Sequence, residues 1–234
     1  MGFQIEDVVA HWDRVAYKYD DSNRHRLNPH HWRFIEGIRH ITPSDSPDIS
    51  VLSIWSRTGD AIPYIRKTLP NARLYNFEVS SVMISIAEKK YPSEQFYRPD
   101  LSTIDLPGNS IDYILCPETL EHTPCPPKLL SEFRRVLKSN GRLILSLPPR
   151  IADIYQFIWE TTVGGHGAGP RRGIISRVVL SFLRETGFQV LEHKAILLFP
   201  IGPLWLIRFG NWILDKLPFL RELGIMQFYI CMKN

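Results

Sequence analysis

The sequence predicts an α/β chain, a mostly parallel sheet with helices on both faces. Three observations lead there. Between residues 50 and 148 short apolar runs alternate with stretches of helical periodicity, the pattern of right-handed strand–helix–strand crossovers. The 234 residues are 44% apolar and 22% charged, which suits a globular core and excludes whole-chain disorder, collagen or coiled coil. The polar residues able to carry chemistry fall just after the apolar runs, where an open α/β sheet binds its ligands.

Each element has its own signal. His11–Asp20 reads as a short helix, and the Pro43–Asp48 cluster of Pro, Ser and Asp breaks the chain after it. Ser50–Ile54 is a buried strand, Ala61–Leu69 a helix ended near Pro70, and Arg73–Phe77 a second strand. Ser80 is a good N-cap for a helix over Val82–Lys90 that ends before Pro92. Gln95–Tyr97 and Ile111–Cys116 are strands three and four. Pro127 suits a first helical turn, and Leu129, Leu130, Phe133, Val136 and Leu137 then share one face. Ser139-Asn140-Gly141 is expected to close that helix before a fifth strand, Arg142–Leu147. Ile175, Val178, Val179, Phe182 and Leu183 make one helical stripe. Phe188–Leu197 and Gln227–Met232 are strands, with an apolar insert between them. The chain thus divides into an N-terminal helical cap over 1–48, a core over 49–149, and a C-terminal part of the same domain over 150–234 that carries an insert at about 200–225.

Composition narrows the function. Cys116, Cys125 and Cys231 form an odd set without a C-x-x-C pair, against a disulfide scaffold or a cysteine zinc site. Cys116 and Cys125 are expected as buried thiols. His25, His30 and His31 lack a matching carboxylate or cysteine pattern, so no metal is expected. The N-terminus lacks a basic region followed by an apolar core, which points to a cytoplasmic chain. The net charge of +4 is spread among 24 acidic residues, so nucleic acid is not the expected partner.

After the first strand comes Trp55-Ser56-Arg57-Thr58-Gly59-Asp60. After the second, 19 residues beyond Gly59, comes Glu78, placed to accept hydrogen bonds from ribose hydroxyls. Asp100 and Leu101 follow the third strand, and Pro117-Glu118-Thr119-Leu120-Glu121-His122 the fourth.

Through Val51–Gly59, Leu74–Ser80, Phe96–Asp100, Leu106–Ile114, Leu120-Glu121-His122 and Phe133–Leu147 the chain resembles class I S-adenosylmethionine-dependent methyltransferases of the type 11 group. Trp12–Asp20 is similar to that family's entry helix. The resemblance implies a Rossmann-like fold with a seven-stranded, mostly parallel sheet and an antiparallel last strand. It implies S-adenosylmethionine as cofactor and S-adenosylhomocysteine as product. It implies cofactor contacts from Ser53, Trp55, Arg57, Gly59, Glu78, Val79, Asp100, Leu101, Pro117 and Tyr19, with Asp100 on the adenine amino group.

The first loop departs from the family pattern of acid-x-Gly-x-Gly-x-Gly. Ser53 replaces the acid, and Trp55 and Arg57 replace the first two glycines. Those side chains either narrow the methionine pocket or, for Arg57, face the cofactor carboxylate or a substrate anion. Loss of cofactor binding is the competing outcome, which would leave a methyltransferase-like binding or scaffold protein.

Beyond the cofactor, His122 and Glu118 are the candidate catalytic residues, His122 as a general base or a packed ring. Tyr17 and Tyr19 are core aromatics or close over the sulfonium. His166, Arg171 and Arg172, in and after the Gly164–Gly169 loop, and Trp205 in the insert are candidate substrate contacts. Trp205, Leu206, Phe209, Trp212, Ile213 and Leu217 can form an apolar face that is a lid, a dimer face, an interfacial membrane contact or plain core. The expected function is methyl transfer to a small-molecule acceptor, hydrophobic or linked to lipid or saccharide. A homodimer and a peripheral place at a membrane are compatible with it.

Overall fold

The computed structural model describes residues 2–24, 29–99, 103–162 and 167–233. Its centre is one seven-stranded sheet. The strands are β1 (Ser50–Ile54), β2 (Arg73–Phe77), β3 (Phe96–Tyr97), β4 (Ile111–Pro117), β5 (Leu137–Leu147), β6 (Phe188–Ile196) and β7 (Met226–Lys233), in the order β3-β2-β1-β4-β5-β7-β6. All neighbouring pairs are parallel except those made by β7, which runs antiparallel to both β5 and β6. All five β1 residues are buried, as the central strand of a sheet covered on both faces requires. The order reverses at β1 and β4, so the crevice beyond their carboxyl ends is the switch point.

The helices are α1 (Ile5–Asn23), α2 (Trp32–Ile38), α3 (Ile62–Thr68), α4 (Ser81–Lys90), α5 (Pro126–Val136), α6 (Ala152–Thr162), α7 (Ser176–Glu185) and α8 (Leu204–Lys216). The entry helix α1 is longer at both ends than the apolar pattern shows. Its start is fixed by the Gln4 amide, which donates to the Asp7 carboxylate at 2.9 Å. Val8, Trp12, Ala16 and Tyr19 of α1 are buried in the same cluster as Leu52, Phe77, Met83 and Leu145. The predicted cap at Ser80 is present: its Oγ accepts from the Met83 amide at 3.1 Å and donates to Asp13 at 2.5 Å, tying α4 to α1.

Four expectations need correction. Ser139-Asn140-Gly141 does not close α5, which stops at Val136 with Leu137 already extended. Those residues lie in β5, where Ile111 pairs with Leu137 but Tyr113 with Arg142, so the turn-forming triplet sits in an irregularity of the strand. A Cβ on Gly141 would lie 2.9 Å from the Asp112 carbonyl oxygen. On α7 only Val179 and Leu183 of the expected stripe are fully buried; Ile175, the N-cap, and Val178 are exposed. Cys125 is exposed as the N-cap of α5, while Cys116 is buried. The aromatic face of the insert is not core: α8 turns Ile207, Gly210 and Leu214 inward and leaves Trp205 68%, Phe209 50% and Trp212 55% exposed. Gly210 permits this packing, since a Cβ there would meet the Phe199 ring at 2.7 Å.

Candidate active site

The loop after β1 keeps a glycine-type backbone with two non-glycine residues in it. Trp55 and Arg57 have φ of 51° and 52°, and Gly59 has 88°. Left-handed backbone at an L-residue costs about 1–2 kcal/mol, and such strain collects at functional sites. The surroundings hold it in place. The Glu78 carboxylate accepts from the Arg57 amide and from the Ser80 amide, both at 2.9 Å, and the Ser56 amide donates to the Phe77 carbonyl at 3.0 Å. Gly59 is irreplaceable on two counts, its φ and a would-be Cβ 2.7 Å from the Tyr91 ring.

The two side chains fill space that glycines leave open. The Arg57 guanidinium lies 3.6 Å from the centroid of the Trp12 ring and 5.0 Å from that of Trp55. The Trp55 ring tilts over His122 at 5.6 Å. What remains is a cavity of about 80 Å³, room for a few water molecules. Of the predicted site residues, Tyr19, Ser53, Trp55, Arg57, Pro117 and Glu118 line it, as do His122 and Arg171. Trp12, Arg33, Ser56 and Glu121 also line it, as does Gln156 of α6. A second, larger cavity of about 620 Å³ lies between α1 and the ends of β2 and β3, with Val79, Pro99 and Asp13 on its wall.

Other predicted residues are elsewhere. Glu78 is fully buried behind Arg57. Arg172 donates to the Pro124 carbonyl at 3.1 Å and covers the Phe3 ring, away from the small cavity. Trp205 is on the outer face of α8 and does not line either cavity. Tyr17 is 79% exposed, so only Tyr19 of that pair faces inward. Asp100, Leu101 and His166, with His25, lie outside the described residues.

A chain of charge crosses the cavity wall. The His30 Nε2–H donates to Asp60 at 2.9 Å, Arg33 donates to His30 Nδ1, and Arg33 Nη1 meets Glu118 at 2.5 Å. Burial, with Arg33 adding to it, pushes His30 down to about 3, so it is neutral. Burial works to raise the Asp60 carboxyl, but the hydrogen bond from His30 and the nearby cations hold it below its usual range. Glu118 is also in the left-handed region, φ 46°, its amide donating to the Ser146 carbonyl at 2.8 Å.

His122 is a neutral ring: burial and then the Arg57 charge lower it to about 3, and its Nδ1–H donates to the Pro170 carbonyl at 2.7 Å. Glu121, which the sequence pattern did not single out, is 2% exposed and raised to about 8, by burial first and then by Glu118. Neither of its carboxylate oxygens has a hydrogen-bond partner among the described residues. The same holds for Ser53 Oγ, Ser56 Oγ, Trp55 Nε1 and Arg57 Nη1, all on the wall of one cavity. Buried polar atoms are nearly always satisfied, so this cluster calls for water or a polar ligand group in the cavity.

The sheet order, the switch-point crevice and an acid closing β2 define a class I methyltransferase core. The comparisons agree. The profile of the methyltransferase domain family matches residues 54–145. A demethylmenaquinone methyltransferase of Thermotoga maritima is 30% identical over 203 residues, 76% of this chain and 86% of that protein. A ubiquinone/menaquinone biosynthesis C-methyltransferase of Campylobacter jejuni is 25% identical over 224 residues, 81% of this chain and 92% of that one. In structure, a methyltransferase of Thermotoga maritima superposes with a TM-score of 0.68 at 16% identity, covering 97% of this chain and 100% of the other. The chain belongs to the class I S-adenosylmethionine-dependent methyltransferases. Its residues suit that cofactor: the Arg57 guanidinium and the Ser53 and Ser56 hydroxyls match a carboxylate, and Glu118 an ammonium.

Proposed function

We propose that this enzyme methylates a ring carbon of an apolar, hydroxylated aromatic acceptor of the quinol type. The observation that carries this reading is the similarity to the demethylmenaquinone methyltransferase across 86% of that protein, well beyond the cofactor half. S-adenosylmethionine supplies an electrophilic methyl group. Gly59 and Val79 would lie beside the nucleoside and Asp100 and Leu101 at the adenine, as the family resemblance implies, while Glu78, the acid that the resemblance assigns to the ribose, is buried behind Arg57 and would act through the loop it holds. Ser53, Ser56 and Arg57 would hold the amino-acid end. Tyr19, Trp12 and Trp55 exclude water, which aligns the reactants and protects the transfer.

The outer helices support an apolar acceptor. Gln156 of α6 reaches the cavity wall, while Ile154, Phe157 and Ile158 of the same helix are exposed. On α8 the exposed Trp205, Phe209 and Trp212 stand with Arg208, Asp215 and Lys216, an aromatic face with one net positive charge that suits an anionic bilayer surface. No helix of the described residues is long and apolar enough to cross a membrane.

Calorimetric titration with S-adenosylmethionine and turnover of a reduced short-chain demethylmenaquinone test the reading. Binding with a methylated product is expected; binding without product contradicts the acceptor. Co-sedimentation with anionic vesicles, and not neutral ones, is expected of the α8 face. A concentration-dependent dimer without vesicle binding assigns that face to a second copy instead.

A further inference from the structure

Carbon methylation of a phenol needs a group that takes the hydroxyl proton, because the phenolate is the far better carbon nucleophile. Three titratable groups of the segment after β4 face the small cavity. His122 is a poor acceptor: burial and then the Arg57 charge hold its proton affinity down, and Trp12 and Trp55 flank the ring. Glu118 is held by Arg33 at 2.5 Å. The Glu121 carboxylate takes no hydrogen bond from another described residue, though it is 2% exposed and lines the cavity. His122 Nε2 lies 3.9 Å from its Oε1.

We propose that Glu121 is the catalytic proton acceptor, taking the hydroxyl proton of a quinol whose hydroxyl reaches into this cavity; this rests on the acceptor class proposed above. The acceptor O–H bond breaks and a carboxyl O–H bond forms. The electron pair stays on the acceptor oxygen and spreads to the ring carbon, which would bond the methyl carbon as that carbon's bond to the cofactor sulfur breaks, the pair of the broken bond leaving with S-adenosylhomocysteine. When that carbon releases its own proton to water, the ring regains aromaticity, and the Glu121 carboxyl returns its proton to the oxygen. One proton leaves per turnover and the carboxylate is restored.

The setting suits this task. Glu118 raises the proton affinity of Glu121, while Arg33 from α2 and Arg171 from the segment before α7 restrain it. Arg57 from the β1 loop, Tyr19 of α1 and Cys116 of β4 are further ionisable groups around it. An acceptor that titrates near 8 is well matched to a weakly acidic hydroxyl near neutral pH.

Glu121→Gln keeps the volume and removes the titration. It is expected to lower kcat by about 100-fold or more and to abolish the rise of rate with pH through about 8, while the calorimetric Kd for S-adenosylmethionine stays within about threefold. Glu121→Asp is expected to recover part of the rate and of the pH rise. An infrared difference spectrum between pH 6.5 and 9.5 is expected to show one protonated buried carboxyl in the wild type that is missing from Glu121→Gln. A Gln variant with near wild-type kcat and an unchanged pH profile overturns the assignment, as does a wild type without that carboxyl. Wild-type protein that binds cofactor and methylates no quinol overturns the acceptor class, and the step with it.

Discussion

Two pairs of tryptophans mark opposite ends of this molecule's chemistry. Trp12 and Trp55 are 4% and 2% exposed and close on Arg57 at the carboxyl end of β1. Trp205 and Trp212 are 68% and 55% exposed on α8. The difference comes from what each backbone leaves available. In the β1 loop, Glu78 and the sheet fix the main chain, so large side chains at glycine positions have only the cleft to enter. On α8 the inward stripe is already Ile207, Gly210 and Leu214, so its aromatic residues remain outside. The inner pair shapes a ligand site, and the outer pair offers a surface to something apolar.

Substitutions can break this contrast. Trp12→Ala should have the largest effect on stability, about 3–5 kcal/mol by chemical denaturation, because it empties a core site and strips the Arg57 stack. Glu78→Ala leaves two buried amides unpaired, at Arg57 and Ser80, and should cost about 2–5 kcal/mol together with cofactor binding seen by calorimetry. Trp55→Gly removes a buried ring but relieves a left-handed residue, which returns about 1 kcal/mol. Its net loss should therefore be smaller than that of Trp12→Ala, near 2 kcal/mol, and the opened cavity should tighten cofactor binding. Replacing Trp205 and Trp212 together by Ser should change stability by no more than about 0.5 kcal/mol each while weakening attachment to anionic vesicles.

The pH dependence of stability has two limbs. His30 and His122 are neutral in the fold and lowered to about 3, so the unfolded chain takes up their protons first and stability falls as pH drops below about 6.5. Glu121 is raised to about 8, so its contribution is present at low pH and lost as pH rises through about 8. Thermal unfolding of the wild type should therefore weaken between pH 6.5 and 8.5. In Glu121→Gln that upper limb should flatten, an effect smaller than the substitutions above.

The sheet was legible because its strands are bounded by Pro, Gly and Ser signals and alternate with helical stripes; β2 lies where the pattern places it. The Ser139–Gly141 triplet misled because turn chemistry inside a strand reads the same as a helix stop. The crevice residues were legible from their places after strands. Glu121 was not, since one carboxylate beside a histidine carries no period, and its burial depends on β1, α2 and the segment before α7 meeting over it. The filling of the β1 loop was legible as a substitution at Trp55 and Arg57, but the retained left-handed backbone was not, because it depends on Glu78 across the sheet.

The central claim is methyl transfer to a quinol carbon at this closed cleft. Its most direct test is mass spectrometry and carbon NMR of a reduced short-chain demethylmenaquinone incubated with the enzyme and S-adenosylmethionine bearing a deuterated methyl group. One labelled methyl on the ring carbon is expected. Label on the quinol oxygen, or cofactor binding with no label transferred, would contradict it.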